Sequence, residues 1–329
     1  MKVIIERACW THDDEAWRAD LLDLLTALRT STHHSVSTSH DALGAWCALE
    51  APSLRMPLQA RLLQSQPRAD AIELRVHPDG AVTIEHDPPW RLQASIAARL
   101  VRRPLQLYLE NDEHDANFLR AVLPELAAWE RQNRLTLQHG GGSEMTRKIE
   151  RVASDRAARW RSFFLFDSDR LHPDELDPGW SAPKGDGCQG WHTQQVCTNA
   201  NLPTSRWHQL NRRSIENYLP QSLLDKHDKN RAQALFSPDV SRMQPFFNMK
   251  RGFRDDLFAK GDSSKPNAVR AARSRGFWTA LHTDLQDALA QGFGSDVAKL
   301  FQQVHSGQAW PKDVQAEINQ LHAALLEAL

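Results

Sequence analysis

The chain has 329 residues, 41% hydrophobic and 25% charged, with a formal net charge of −1. That is the make-up of a folded globular protein with room for one large domain or two ordinary ones. It excludes a wholly disordered chain, and no apolar run approaches membrane-spanning length, so neither a transmembrane segment nor a secretory leader is expected. The four cysteines, Cys9, Cys47, Cys188 and Cys197, form no CxxC pair. Reduced thiols in a cytoplasmic protein are therefore expected. Cys188, His192 and Cys197 lie close in sequence, but their spacing is poor for a structural zinc site.

From the N-terminus, Lys2 to Cys9 reads as a strand and Trp17 to Leu28 as an amphipathic helix with five leucines on its apolar face. Thr30 to His40 reads as a polar loop whose histidines, His33, His34 and His40, are expected to be solvated, with metal binding the alternative. Ala71 to Val76 and Ala81 to Glu85, joined by His77-Pro78-Asp79-Gly80, read as a hairpin. Trp90 to Arg103 reads as a helix between Pro89 and Pro104. Residues 1–103 are thus expected to be an α+β region, and they carry no chemical motif.

From Pro104 the pattern alternates. Leu105 to Leu109 reads as a strand ending at Glu110. Glu113 to Glu130 reads as a helix that Pro124 kinks or splits. Leu135 to Leu137 reads as a second strand running into the turn Gly140-Gly141-Gly142, which suits either a phosphate or a flexible connection. Glu144 to Trp160 reads as a helix and Ser162 to Phe166 as a third strand, apolar enough to be buried on both faces. This alternation predicts an α/β fold, a parallel sheet flanked by helices. Leu171 to Asn201 is a Pro/Gly-rich connection with a helix from Cys188 to Asn199, and Arg206 to Leu210 reads as a fourth strand. Residues 104–255 form the expected catalytic domain. Residues 256–329 form a helical region, with two or three helices after Phe277.

In a parallel sheet the strand ends open on one edge, where ligands bind. Glu110, Asp167 and Asp169 should therefore converge. Hard carboxylate oxygens with room for water and phosphate describe a magnesium site. Asp115, in the first turn after Glu110, either joins that site or complements the helix dipole.

Leu107-Tyr108-Leu109-Glu110 with Asp115, the glycine turn, and Phe166-Asp167-Ser168-Asp169 together resemble the TOPRIM domain of type IA topoisomerases, bacterial primases, recombination proteins and OLD-family nucleases. Arg213-Ser214-Ile215-Glu216-Asn217-Tyr218-Leu219 is similar to the block that follows the Asp-x-Asp in OLD-type nucleases and their defence-associated relatives. The resemblance covers roughly Pro104 to Gly252. The chain departs from the family in having Asn111 where glycine is common, and in one extra residue between Glu110 and Asp115. It contains no G-x-x-x-x-G-K-[ST] loop.

The resemblance implies a nuclease that uses Mg²⁺, or alternatively Mn²⁺, on DNA or RNA. Glu110, Asp115, Asp167, Asp169 and Glu216 would hold metal. Lys250 would offset charge on the scissile phosphate, with Arg251 a competitor for that role. Glu216 has the alternative of an ion pair with Arg212 or Arg213. The resemblance also implies a separate ABC/SMC-like ATPase partner and a role in anti-phage defence, and it leaves a homo-oligomer open. Residues 205–275 hold 15 Lys/Arg against 7 Asp/Glu, near +8. A polyanionic substrate suits that excess, with Arg212, Arg213, Arg251 and Arg254 as expected backbone contacts. The alternative is a non-catalytic nucleic-acid-binding subunit.

Overall fold

The computed structural model describes residues 1–31, 34–64, 72–185, 188–259, 262–305 and 307–329. Its framework is two four-stranded sheets, each parallel throughout. The first is built from β1 (Lys2–Ile5), β2 (Ser35–Ser37), β3 (Glu73–Ala81) and β4 (Trp90–Leu92), in the order β2-β1-β3-β4. The N-terminal region is therefore α/β, which corrects the α+β expectation.

The expected hairpin is absent among the described residues; its Ala71 lies outside them. Leu74 of β3 faces Val3 on one side and Trp90 on the other, both in parallel. Pro78-Asp79-Gly80 makes no reversal. It sits inside β3, at the register shift between Val76 and Ala81. Gly80 is needed there because a Cβ would lie 2.3 Å from the Leu92 carbonyl carbon. A turn signal has become a bulge, because both edges of β3 already have parallel partners.

The segment expected to be one helix from Trp90 divides into β4 and a helix over Ala94–Arg102. The polar stretch after Thr30 contains β2, and His40 opens a helix, His40–Glu50, capped by Ser39. His33 lies outside the described residues. His34 is buried, its Nε2 3.2 Å from the Val101 carbonyl, rather than solvated.

The second sheet comprises β5 (Leu105–Leu109), β6 (Leu135–His139), β7 (Ser162–Phe166) and β8 (Trp207–Gln209), ordered β6-β5-β7-β8. The predicted strand–helix alternation is present. Every residue of β7 is buried, as its unbroken apolar run requires. Pro124 divides two helices, His114–Val122 and Leu126–Arg131. The helix expected over Glu144 to Trp160 breaks at Asp155. That side chain accepts from the Ala157 and Ala158 amides, both at 2.9 Å, and so caps a second short helix, Arg156–Trp160.

The C-terminal helices share one hydrophobic core with β5, β6 and β7. Phe118 meets Phe301 edge-on at 5.3 Å, and Leu321 and Leu325 of the helix Lys312–Ala328 are buried in the same cluster. The N-terminal sheet has its own core. Trp160 joins the two layers, donating to Asp87 Oδ1 at 3.0 Å and meeting Trp90 edge-on. Among the described residues no helix is long and apolar enough to cross a membrane.

Candidate functional site

β5 and β7 are neighbours, with Leu109 opposite Leu165. Glu110 and Asp167 therefore leave the same sheet edge on adjacent strands. Asn111 sits where glycine was the commoner expectation, and it has work of its own. Its Oδ1 accepts from the Glu113 and His114 amides at 3.1 and 2.9 Å and starts the helix His114–Val122. Asp115 then turns back, accepting the Asn111 amide at 2.9 Å, and is buried. Asp115 therefore lies in the first helical turn and within electrostatic reach of Glu110 and Glu216.

Asp169 has a left-handed backbone, φ +54. Its amide donates to the Arg213 carbonyl at 3.0 Å, and its Oδ2 accepts from the Gly190 amide at 3.0 Å. Gly190 approaches the Asp-x-Asp turn so closely that a Cβ would lie 2.4 Å from the Asp167 carbonyl oxygen and 2.3 Å from that of Ser168. Gly190→Ala will therefore push the helix Gln189–Asn199 off this turn. Overpacking of this kind costs about 1–3 kcal/mol, and urea unfolding will read it.

The Arg213-to-Leu219 block supplies the opposite wall. Its turn Ile215–Tyr218 is closed by reciprocal Ser214 and Asn217 bonds. Asn217 is also bolted to the Gln244 and Phe247 carbonyls at 3.1 and 3.0 Å. The Ile215 amide donates to Asp167 Oδ1 at 3.1 Å. Glu216, 1% exposed, points inward, with Lys250 Nζ 3.0 Å from its Oε1.

The electrostatics register this crowding. Burial, then Asp169 and Asp115, push the Glu110 carboxyl up to about 8. Burial, then Glu216, lift Asp115 to about 7 against the pull of the Asn111 amide. Asp167 is held well above its ordinary range, by burial first and then by Glu110, Asp115, Glu216 and Asp169. Like charges this close oppose each other's ionisation. Burial alone would depress Lys250, but Glu216, Asp167 and Asp115 outweigh it and raise the pKa of its ammonium.

Glu110 Oε1 and both Glu216 oxygens are buried with no hydrogen-bond partner, so the Lys250 contact is an ion pair without hydrogen-bond geometry. Buried carboxylate oxygens lacking donors have lone pairs free for a cation. Their hardness fits Mg²⁺ or Mn²⁺. Among the described residues, no group of three or more His, Cys, Asp or Glu side chains is already set to hold a metal ion. The donor chemistry fits a divalent cation, while the side chains do not form a ready-made cage.

The basic residues divide. Lys250, rather than Arg251, enters the cluster. Arg251 and Arg254 are exposed. Arg213 is buried and bidentate to Asp256, at 2.6 and 2.7 Å, so its expected contact with a nucleic-acid backbone is corrected: its guanidinium is used inside the protein. Arg212 lies over the Tyr218 ring, donates to the Asn217 carbonyl at 2.6 Å and pairs with Asp313 at 2.8 Å. Neither arginine pairs with Glu216. Two amides of the glycine turn, at Gly140 and Gly141, are donated to the Leu109 and Glu110 carbonyls, which favours a structural role for that turn.

Glu317 went unnoticed in the sequence. It accepts from the Tyr218 hydroxyl at 2.6 Å and the Asn211 amide at 2.7 Å, and so ties the Arg213-to-Leu219 block to the last helix. A signal was present, because Glu317 interrupts the apolar stripe of Val314, Ile318, Leu321 and Leu325.

Comparison of the chain with protein-family models, with curated proteins and with solved structures finds no match.

Proposed function

We propose that this carboxylate cluster is the centre of a TOPRIM-type nuclease resembling the OLD group, hydrolysing phosphodiester bonds of DNA or RNA. One observation carries the reading. A glutamate and an Asp-x-Asp leave neighbouring parallel strands, and the next segment adds a buried glutamate and a lysine to the same pocket, leaving buried acidic oxygens without a hydrogen-bond partner.

Glu110, Asp115, Asp167, Asp169 and Glu216 would hold Mg²⁺ or Mn²⁺. When bound, such a metal activates water and stabilises the leaving oxygen. The remaining roles belong to the chain. The Ile215 amide orients Asp167, and the Gly190 amide orients Asp169. Lys250 brings positive charge to the site where a phosphate gains negative charge. The exposed Arg251 and Arg254 suit the polyanion beyond the scissile bond. A separate ATPase partner and a part in phage resistance belong to the same proposal, by analogy.

Two observations favour a second reading, a non-catalytic nucleic-acid-binding subunit. Lys250 already pairs with Glu216, and among the described residues no ready-made metal cage exists. Purified protein incubated with Mg²⁺ or Mn²⁺ and supercoiled, linear, single-stranded and structured RNA substrates separates the two. The nuclease reading expects cleavage that EDTA stops and Asp167→Ala lacks. Binding without cleavage of any substrate would overturn it in favour of the second.

A further inference from the structure

A cleft of about 530 Å³ opens beside the Asp-x-Asp turn. That volume is in the range that holds small organic ligands. Trp180, Pro183, Val269 and Ala272 give it apolar walls. Arg273 forms one side, its guanidinium 5.2 Å from the centre of the Trp180 ring. The rim keeps one net positive charge: Arg275, on the cleft wall, and Arg242, just beyond it, both pair with Asp174, at 2.7 and 3.1 Å, with side chains 64% and 71% exposed.

The cleft is wired to the carboxylate site. Arg273 is bidentate to buried Glu175, at 2.9 and 2.7 Å, and its Nη2 donates to the Asp169 carbonyl at 3.1 Å. Glu175 in turn accepts the Leu171 amide at 2.8 Å. A ligand seated against Trp180 and Arg273 is thus held at fixed register to Asp169.

The geometry points to a subsite for one unpaired nucleotide of a single-stranded nucleic acid, its base against Trp180 and its phosphate at the Arg242–Arg275 rim. This rests on the nuclease reading and narrows its substrate class. A flat indole beside aliphatic walls takes a planar ring, and two exposed guanidiniums sharing one Asp174 carboxylate leave a net positive charge that favours an anion; a nucleotide joins both in one unit. In a duplex the bases are stacked inside and cannot reach such a slot without being flipped out, so the cleft selects unpaired strands.

The test is fluorescence anisotropy of a short labelled single strand and of the duplex of the same sequence, measured in EDTA so that no cleavage intervenes. Trp180→Ala is expected to weaken strand binding roughly tenfold, the loss of one base–aromatic stack, and Trp180→Phe to restore most of it. Ala272→Trp, at an exposed position on the cleft wall, fills the slot without touching the Arg273–Glu175 pair, and the same loss is expected. Duplex affinity should stay unchanged in all three. Unaltered strand affinity in Trp180→Ala and Ala272→Trp, equal losses on duplex, or no strand binding by the parent protein would each overturn the subsite. The nuclease reading fails separately: strand binding that depends on Trp180 without Mg²⁺-dependent cleavage keeps the subsite and removes the nuclease. Cleavage with strand affinity insensitive to these changes does the reverse.

Discussion

Glu110→Gln is expected to abolish cleavage and at the same time make the metal-free protein more stable at pH 8. The two effects have one cause. Glu110 is lifted to about 8 because its ionised form is buried beside Asp169 and Asp115, and its Oε1 has no hydrogen-bond donor. A neutral amide of the same shape removes that repulsion. The gain is on the order of a few kcal/mol, seen as a rise of several degrees in melting temperature in EDTA. The same substitution removes a proposed metal ligand, so added Mg²⁺ should stabilise the variant less than the parent. Thermal unfolding with and without Mg²⁺, paired with a cleavage assay, checks both halves. A variant that is less stable than the parent in EDTA would show that the Glu110 carboxylate serves the fold rather than the site.

The stability of the metal-free protein is expected to fall as pH rises from about 4 to about 8. The sign follows from the direction of the shifts. Glu110 and Asp115 titrate near 4 in the unfolded chain but are lifted to about 8 and about 7 in the fold, and Asp167 is lifted as well. Between those limits the native state binds more protons, so folding is favoured at the low end. The advantage is complete below the unfolded value and gone once the pH passes the folded one. Most surface carboxylates give the opposite slope. Mg²⁺ binds the ionised forms, so its stabilising effect should grow with pH over the same range. Melting curves at fixed ionic strength across this range, in EDTA and in Mg²⁺, measure both slopes. A metal-free curve that rises toward pH 8 would mean these carboxylates are not buried together.

Much of the second sheet was legible in the sequence because its strands are short apolar runs separated by helices of the right length. β7 is the clearest, with no polar residue between Ser162 and Asp167. The first sheet was harder. Its β3 contains Pro78-Asp79-Gly80, whose local preference is a reversal, and its β2 is three polar-flanked residues, Ser35–Ser37, with no strand pattern of their own. Both take their shape from partners distant in sequence: β2 from β1 alone, β3 from β1 and β4. Long-range pairing overrides local turn chemistry when both edges are already taken.

The site divides in the same way. Glu110, Asp167 and Asp169 could be placed from sequence because strand ends in a parallel sheet share an edge. The sequence by itself also determined that Glu216 and Lys250 follow in a basic segment. Only the tertiary structure decided which cations face the acids. Arg213 is taken by Asp256, Arg212 by Asp313, and Lys250 alone of these reaches Glu216. Spacing along the chain cannot settle such a choice. Asp256 and Asp313 stand far from their arginines in sequence, and the energy of a buried ion pair depends on which partner packing brings within reach.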